Sequence, residues 1–381
     1  MKLKTVKLKE IVSMKYGIMP KPSIISENGY PIYSGYGVTG YAKQFLYKEP
    51  QLIVIARGVG GTGDVKISPE NVWITNLSLV LELDKEKVDR TYLYYKLKKE
   101  PLKKNLNTGA AQAQITIGVL ENYKVTIPEL AIQKRISSNI ASYDDLIDTN
   151  RRRIKLLEEA ARLLFREWFV YLRFPGHEKV KIVDGVPEGW KKEKINRLVT
   201  FLGGHAFKSM SYKQEGKYGI VTIKNVQQSS FIPKCTDYLD DTPDAMKKHC
   251  ILTDGDILIS LTGNVGRVCL VYGENYLLNQ RVAKIEAKKS IPKSFIYWMF
   301  DNPIMQKRIE NLSFGSAQQN LSPIKLGEQT VIIPPDPLLE SFDEIVSLMN
   351  IEIIQLLIQN QKLAQARDLL LPRLMSGEIE V

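Results

Sequence analysis

The chain has 381 residues, 44% hydrophobic and 25% charged, which excludes general disorder and exceeds what one hydrophobic core usually holds. The 53 Lys and Arg against 42 Asp and Glu give +11 and favour an anionic partner, without separating DNA from RNA or lipid. Three cysteines without a C-x-x-C argue against a disulfide framework or a zinc site, and no apolar run approaches the ~18 residues of a membrane span. With MKLKTVKLKE lacking the apolar core of a signal peptide, the expected location is the reducing cytoplasm.

Residues 1–130 read as short strands broken by turn chemistry at Gly17, Pro20, Pro22, Gly29 and Pro31, with LIVIA at 52–56 and LSLVLEL at 77–83 as strands and a helix over Tyr92–Lys99. The period then becomes helical over 131–173. Ile136, Ile140, Tyr143, Ile147, Asn150, Ile154, Leu157, Ala161, Leu164 and Trp168 step by fours and threes, an unbroken a/d seam. Residues 136–168 make a rod of roughly 50 Å at ~1.5 Å per residue, and a helix of that length has to bury its stripe. The linker 174–186 carries Pro175, Gly176 and Gly185 and turns the chain around. Residues 187–336 return to strands and turns, with YGIVTI, DILISL and a helix over Phe295–Ile309, and 337–381 form a second long helix and tail.

The second half repeats the first. Ile55, Gly60, Gly63, Val65, Asn76 and Tyr95 match Leu258, Gly263, Gly266, Val268, Asn279 and Trp298 at an offset of 203. Gly109, Ala111, Gln112, Leu120, Ile127 and Pro128 match Gly315, Ala317, Gln318, Leu326, Ile333 and Pro334 at 206, an offset that carries the seam onto Phe342, Val346, Met349, Ile353, Leu356, Asn360, Leu363, Arg367 and Leu370. So long a period means two duplicated domains rather than a solenoid. The predicted fold is α+β: two α/β domains separated by two long antiparallel coiled-coil helices, with pseudo-two-fold symmetry. Asn150 and Asn360 interrupt the seam, as tolerated polar positions or as devices that specify register.

Motifs for catalysis fail on context. Gly58, Gly60 and Gly63 spell G-x-G-x-x-G, but VKISPENVWI after them reads as strand and turn where a cofactor loop needs a helix. Pro243, Asp244 and the triplet Glu286, Ala287, Lys288 could suggest a metal nuclease, but the spacing is loose and Leu83 replaces Glu286 in the first half. His177, His205 and His249 form no metal set, and neither a phosphate-binding P-loop nor the Asn-Pro-Pro-aromatic signature of adenine methyltransferases is present. The chain is expected to be noncatalytic and to hold no cofactor or metal of its own.

What remains is a set of basic, aromatic and amide side chains in Gly-rich turns. In the first half these are Lys21, Tyr33, Ser34, Tyr36, Arg57, Thr62, Gln112 and Gln114. In the second they are Lys208, Lys224, Asn225, Thr262, Asn264, Arg267, Gln280, Arg281, Gln318, Gln319 and Asn320. Arg pairs with guanine and Asn or Gln with adenine in the major groove, while Lys neutralises phosphate, so together they are candidate DNA-binding residues. Arg151, Arg152 and Arg153 are either a solvated helix face or a contact with a partner subunit or DNA backbone; their counterparts Leu357, Ile358 and Gln359 are uncharged.

The duplicated halves, WFVYLRFPGHE at 168–178, VPEGW at 186–190, LLLPRLMSGEIEV at 369–381, and the loops GAAQ at 109–112 and GSAQQNLS at 315–322 together resemble the specificity subunit of Type I restriction-modification systems. The first half departs from the pattern, with GAAQAQITIG in its loop and no W-x-x-x-x-L restart like that at Trp190. The resemblance implies two target-recognition domains, each reading one half of a bipartite, asymmetric DNA site, in a host-defence system. It implies two modification subunits supplying S-adenosylmethionine-dependent N6-adenine methylation, and restriction subunits that use ATP and Mg. A specificity component for a methyltransferase without a restriction partner would use the same surfaces. A self-contained DNA-modifying enzyme and a coiled-coil scaffold are the rivals from other classes.

Overall fold

The computed structural model describes residues 2–35, 37–58, 61–109, 112–313 and 320–379. It divides into two units, Met1–Asp145 with Ala364–Val381, and Leu146–Leu363. The strands of the first unit are β1 (Leu3–Lys7), β2 (Val12–Tyr16), β3 (Ile25–Ser26), β4 (Tyr30–Ser34), β5 (Gly37–Ala42), β6 (Leu52–Ile55), β7 (Val65–Ile67), β8 (Trp73–Ile74), β9 (Ser78–Leu83) and β10 (Lys124–Pro128). Its short helices are α1 (Arg90–Lys98), α2 (Leu102–Leu106) and α3 (Ile117–Leu120), followed by the long α4 (Leu130–Phe165), which runs on into the second unit. There the strands are β11 (Ile182–Val183), β12 (Val186–Pro187), β13 (Lys191–Lys194), β14 (Val199–Gly203), β15 (Tyr218–Val221), β16 (Val226–Gln227), β17 (Ser230–Phe231), β18 (Tyr238–Leu239), β19 (Ile251–Leu252), β20 (Ile257–Ser260), β21 (Val268–Leu270), β22 (Tyr276–Leu278), β23 (Val282–Ala287) and β24 (Thr330–Ile333). The helices are α5 (Ile195–Leu198), α6 (Lys293–Asp301), α7 (Pro303–Ser313), α8 (Pro323–Gly327) and the long α9 (Asp336–Ser376), whose last turns belong to the first unit.

Each unit is built on one plan. An antiparallel pair, β1-β10 or β13-β24, stands beside an antiparallel four-stranded sheet, β2-β9-β6-β7 or β14-β23-β20-β21. A second four-stranded sheet, β3-β5-β4-β8 or β18-β15-β22-β19, contains one parallel pair, β4 with β8 or β15 with β22. The unbroken apolar runs of β6 and β20 follow from burial on both faces. Leu52 and Val54 join the core that holds Tyr92 and Leu93 of α1, while Ile53 meets Ile74 and Val80 on the other side. Ile257 and Ile259 likewise pack with Phe295 and Trp298, and Leu258 with Val221 and Leu278. Full burial of each such side chain contributes about 1.5–3 kcal/mol.

Gly17 and Gly204 leave β2 and β14 at equivalent points. A Cβ on either would lie 2.3 Å from a backbone oxygen, that of Thr75 or of Asn279, so only glycine lets the two chains approach there. The helix expected over Phe295–Ile309 is in fact two. Pro303 has no N–H and forces Asn302 into an extended conformation (ψ 133°), which ends α6 and starts α7.

The a/d seam is the buried stripe of α4 and α9. In the first unit Ile136 and Ile140 of α4 join the same core as Leu371, Leu374 and Met375 of α9. In the second, Ile154 packs on Ile353 and Leu356, and Trp168 and Phe169 meet Phe342 with ring centroids 5.9 and 4.9 Å apart. Within each unit the residue numbers of the two helices run in opposite senses, so the segments are antiparallel. Asn150 is 2% exposed and donates from Nδ2 to Asn360 Oδ1 and Gln359 Oε1, each at 3.0 Å. The two seam asparagines therefore satisfy each other, and a heptad slip would bury both unpaired, which is how a polar a/d pair fixes register.

The duplication extends to the contacts between α1 or α6 and the long helices. Tyr95 donates its hydroxyl to Asp144, which also accepts from Arg367 Nη1 at 2.7 Å. Trp298 Nε1 donates to Asn350 Oδ1 at 3.2 Å, and both members of that second pair occupy the positions equivalent to Tyr95 and Asp144.

Candidate nucleic-acid interface

The turn after β6 and the loop following α2 cross. Arg57 and Gln114 form an isolated antiparallel bridge, Ala56 accepts from Ile115 N at 2.8 Å, and the Thr62 hydroxyl donates to the Gly58 and Ala113 carbonyls at 3.0 and 3.1 Å. The second unit repeats the crossing, with Thr262 bridged to Asn320 and Leu261 accepting from Leu321 N at 2.8 Å. The structure therefore gathers Arg57, Thr62, Gln112 and Gln114 at one place, and Thr262, Asn264 and Asn320 at its equivalent. Gln280 and Arg281 belong to this second group, because Leu261 N donates to the Arg281 carbonyl at 3.0 Å.

Arg57, Gln112, Asn264, Gln280, Arg281 and Asn320 are exposed, as a surface that meets a ligand requires, and Gln114 is half-buried. Lys21 and Lys208 are also exposed, each preceding a single 3₁₀ turn at equivalent points of the two units. Lys224 is exposed and lies near Arg267 through Gln227, whose Nε2 donates to the Lys224 carbonyl at 3.0 Å and whose Oε1 accepts from Arg267. Tyr33 is half-buried against Ile53 and Ile74, and burial raises its phenol above the usual range. Tyr36, Gln318 and Gln319 lie outside the described residues.

Three expected contact residues instead face inward, away from any ligand surface. Ser34 is 6% exposed and Thr62 2%, the latter's hydroxyl committed to the loop crossing. Asn225, 2% exposed, accepts from Thr222 N at 2.9 Å and donates to the Ile232 and Lys234 carbonyls at 2.8 and 3.2 Å. The Thr62 and Asn225 side chains hold loops in shape. On the long helix Arg151, Arg152 and Arg153 are all exposed; Arg151 pairs with Asp148 at 2.9 Å and Arg153 with Glu352.

A cleft borders each crossing. In the first unit, about 1060 Å³ lies between the Thr62–Lys66 strand entry and α2. In the second, about 610 Å³ lies between Asn264–Arg267 and α7. Asp301, 4% exposed, stands at the wall of the second cleft, accepting from Gln228 Nε2 and Ser229 Oγ at 2.6 Å and from Arg162 at 3.1 Å. One turn before Arg162, burial pushes the Glu158 carboxyl up to about 7; Arg162 opposes that rise, while Asp301 and Glu159 add to it. The sign follows from proton counts. Between the ordinary carboxyl range and pH 7 the folded chain keeps a proton that the unfolded chain has lost, so stability falls as pH rises through that window. Glu158→Gln is expected to raise stability at pH 8 by up to about 2 kcal/mol, allowing for partial solvent screening, and to change little at pH 4. Thermal melts of both proteins across that range check it; parallel pH profiles would refute it.

Among the described residues, neither rival motif has the surroundings its chemistry needs. Gly58 and Gly63 (φ 142° and 91°) make a turn that enters strand β7, not a helix. Lys288 donates to the Asn196 carbonyl at 2.8 Å, and no group of three His, Cys, Asp or Glu able to hold a metal is found among the described residues. No described helix is long and apolar enough to cross a membrane.

Comparison with known proteins agrees with the duplication. The family model of the Type I restriction modification DNA specificity domain matches twice, over residues 2–159 and 187–361. The Type I restriction enzyme MjaVIII specificity subunit of Methanocaldococcus jannaschii is 24% identical over 89% of this chain and 81% of its own length. The HindI specificity subunit of Haemophilus influenzae is 24% identical over 70% of this chain and 71% of its own. Among solved structures, the S subunit of a Type I restriction-modification system from M. genitalium superposes with TM-score 0.69 at 19% identity, covering 98% of this chain and 96% of that one, which shows a shared fold.

Proposed function

Since the chain belongs to the Type I restriction-modification DNA specificity family, we propose that it is the sequence-reading subunit of such a complex, each unit recognising one half of a bipartite, asymmetric DNA site. The observation that carries this reading is the loop crossing made once per unit with different side chains, Arg57 with Gln114 and Thr262 with Asn320. Equivalent geometry suits two reading heads, and unequal chemistry suits two different half-sites. Two modification subunits would supply S-adenosylmethionine and methylate adenine N6 on a base flipped out of the duplex. Restriction subunits would supply ATP- and Mg-dependent cleavage. In this reading the present chain is noncatalytic and acts in the cytoplasm, and the exposed Arg152 with its neighbours on α4 contributes to a partner contact.

The test is a map of N6-methyladenine in DNA from cells co-expressing this chain with its neighbouring methyltransferase gene, against cells expressing either alone. A bipartite motif that requires both proteins is the expected result. Methylation by this chain alone, or the same motif from the methyltransferase alone, would overturn the assignment.

A further inference from the structure

The two clefts beside the loop crossings are equivalent in position and differ in charge: Lys66, Lys98, Lys103 and Lys104 line the first with Asp64 and Glu100, whereas Arg267 and Lys307 of the second are balanced by Asp301 and Glu310. Leu102 and Leu106 of α2 are buried as Met305 and Ile309 of α7 are, at the same 203 offset, so the cleft walls superimpose residue by residue in sequence. On that alignment Lys98 stands where Asp301 does, Lys103 where Gln306 does, and Asn107 where Glu310 does. In the second cleft Asp301 is paired with Arg162 at 3.1 Å and Lys307 with Glu310 at 3.4 Å, while Arg267 donates to the neutral Gln227. In the first, Lys66 Nζ donates to the Gly35 carbonyl at 2.9 Å and Lys98 Nζ to Tyr94 Oη at 2.8 Å, both neutral acceptors, and of the two carboxylates in the lining Glu100 is paired with Lys96 at 3.5 Å. Lys103 and Lys104 are exposed and have no ion-pair partner among the described residues. The cleft lies against the reading loop, because Thr62 both lines it and bonds Ala113.

We propose that this lysine-walled cleft is a seat for the DNA phosphate backbone, which makes the first unit grip its half-site by charge, whereas the second cleft contributes no such grip. The proposal rests on the DNA-binding reading above and adds a site to it. Lys66, Lys98, Lys103 and Lys104 are absent from the side chains that the Gly-rich turns brought forward, because three of them sit on or beside helices. Phosphate contacts fix a protein on the duplex without reading sequence, and each releases condensed counterions, so they register as salt dependence.

The experiment is equilibrium binding of the full chain to one duplex DNA of fixed sequence, over salt from about 50 to 200 mM. Lys103→Gln with Lys104→Gln is expected to lower the slope of log K against log salt by about 1.8, at ~0.9 per phosphate, so the loss of affinity over a fourfold salt increase shrinks about tenfold. Lys103→Arg with Lys104→Arg keeps the wild-type slope, and Lys307→Gln in the second cleft leaves it unchanged. A slope unaltered in the double Gln variant overturns the seat. A fall of about 0.9 with Lys307→Gln, the full share of one phosphate, overturns the asymmetry between the clefts. Both results leave the DNA-binding reading standing. A wild-type chain whose affinity for duplex DNA does not depend on salt takes down the seat, and the methylation map then decides the reading itself.

Discussion

Exchanging residues 187–336 for the matching segment of another specificity subunit is expected to change one half of the methylated motif and leave the other half intact. The first unit draws none of its sheets from that segment, so its loop crossing at Arg57 and Gln114 is untouched by the exchange. The exchanged segment has to dock on the retained helices, and the structure says by which side chains. Phe295 lies 5.7 Å from Phe165 and 5.1 Å from Phe169 between ring centroids, and Trp298 donates to Asn350 on α9. Asp301 receives Arg162 from α4. A donor segment that keeps an aromatic residue, an indole and a carboxylate at these three positions is expected to fold and to switch specificity. One that lacks them takes the carboxylate from Arg162 and the aromatic contacts from Phe165 and Phe169, and is expected to melt at a lower temperature. The measurement is the methylation motif of the hybrid, with its melting temperature as the control. A motif altered in both halves would end the modular reading.

The sequence carried the duplication and the seam, but it misplaced one register. The offset of 203 pairs Ile55 with Leu258, yet Ile55 accepts from Gly63 N as Ser260 accepts from Gly266 N, both at 2.9 Å. Ile55 is thus equivalent to Ser260, and the turn from Leu261 to Gly266 is two residues shorter than that from Ala56 to Gly63. A shift of two returns every strand side chain to the same face, so an apolar pattern cannot detect it. The same limit explains Thr62 and Asn225. Polar residues in Gly-rich turns look alike in sequence whether they face a ligand or bond the loop's own backbone, and only burial separates the two. Lys103 and Lys104 were missed for a different reason: a lysine on a short helix reads as a solvated face until the cleft beside it is seen.

Phe342→Ala is expected to be the most destabilising single substitution in the second unit. Phe342 is fully buried, and its ring centroid lies 6.0 Å from Phe165, 5.9 Å from Trp168 and 4.9 Å from Phe169, so it is where α9 meets the end of α4. Truncation removes its transfer energy and leaves a cavity walled by aromatic rings, which are too large and constrained to collapse into it, a cost of about 3–5 kcal/mol. For a unit of this size that lowers the melting midpoint by about 10 °C. The position has a built-in reference: its counterpart in the first unit is Ile136, 1% exposed, in a core to which α9 contributes the aliphatic Leu371 and Leu374 and the flexible Met375. Flexible aliphatic neighbours relax toward a vacancy more readily than stacked rings do, and an isoleucine has less to lose. Ile136→Ala is therefore expected to cost less, about 2–3 kcal/mol. Denaturant melts of the two variants decide the matter. If Phe342→Ala proved the milder of the two, the aromatic cluster would be a filler and the clamp on α6 would have to lie in the Trp298–Asn350 and Arg162–Asp301 contacts instead.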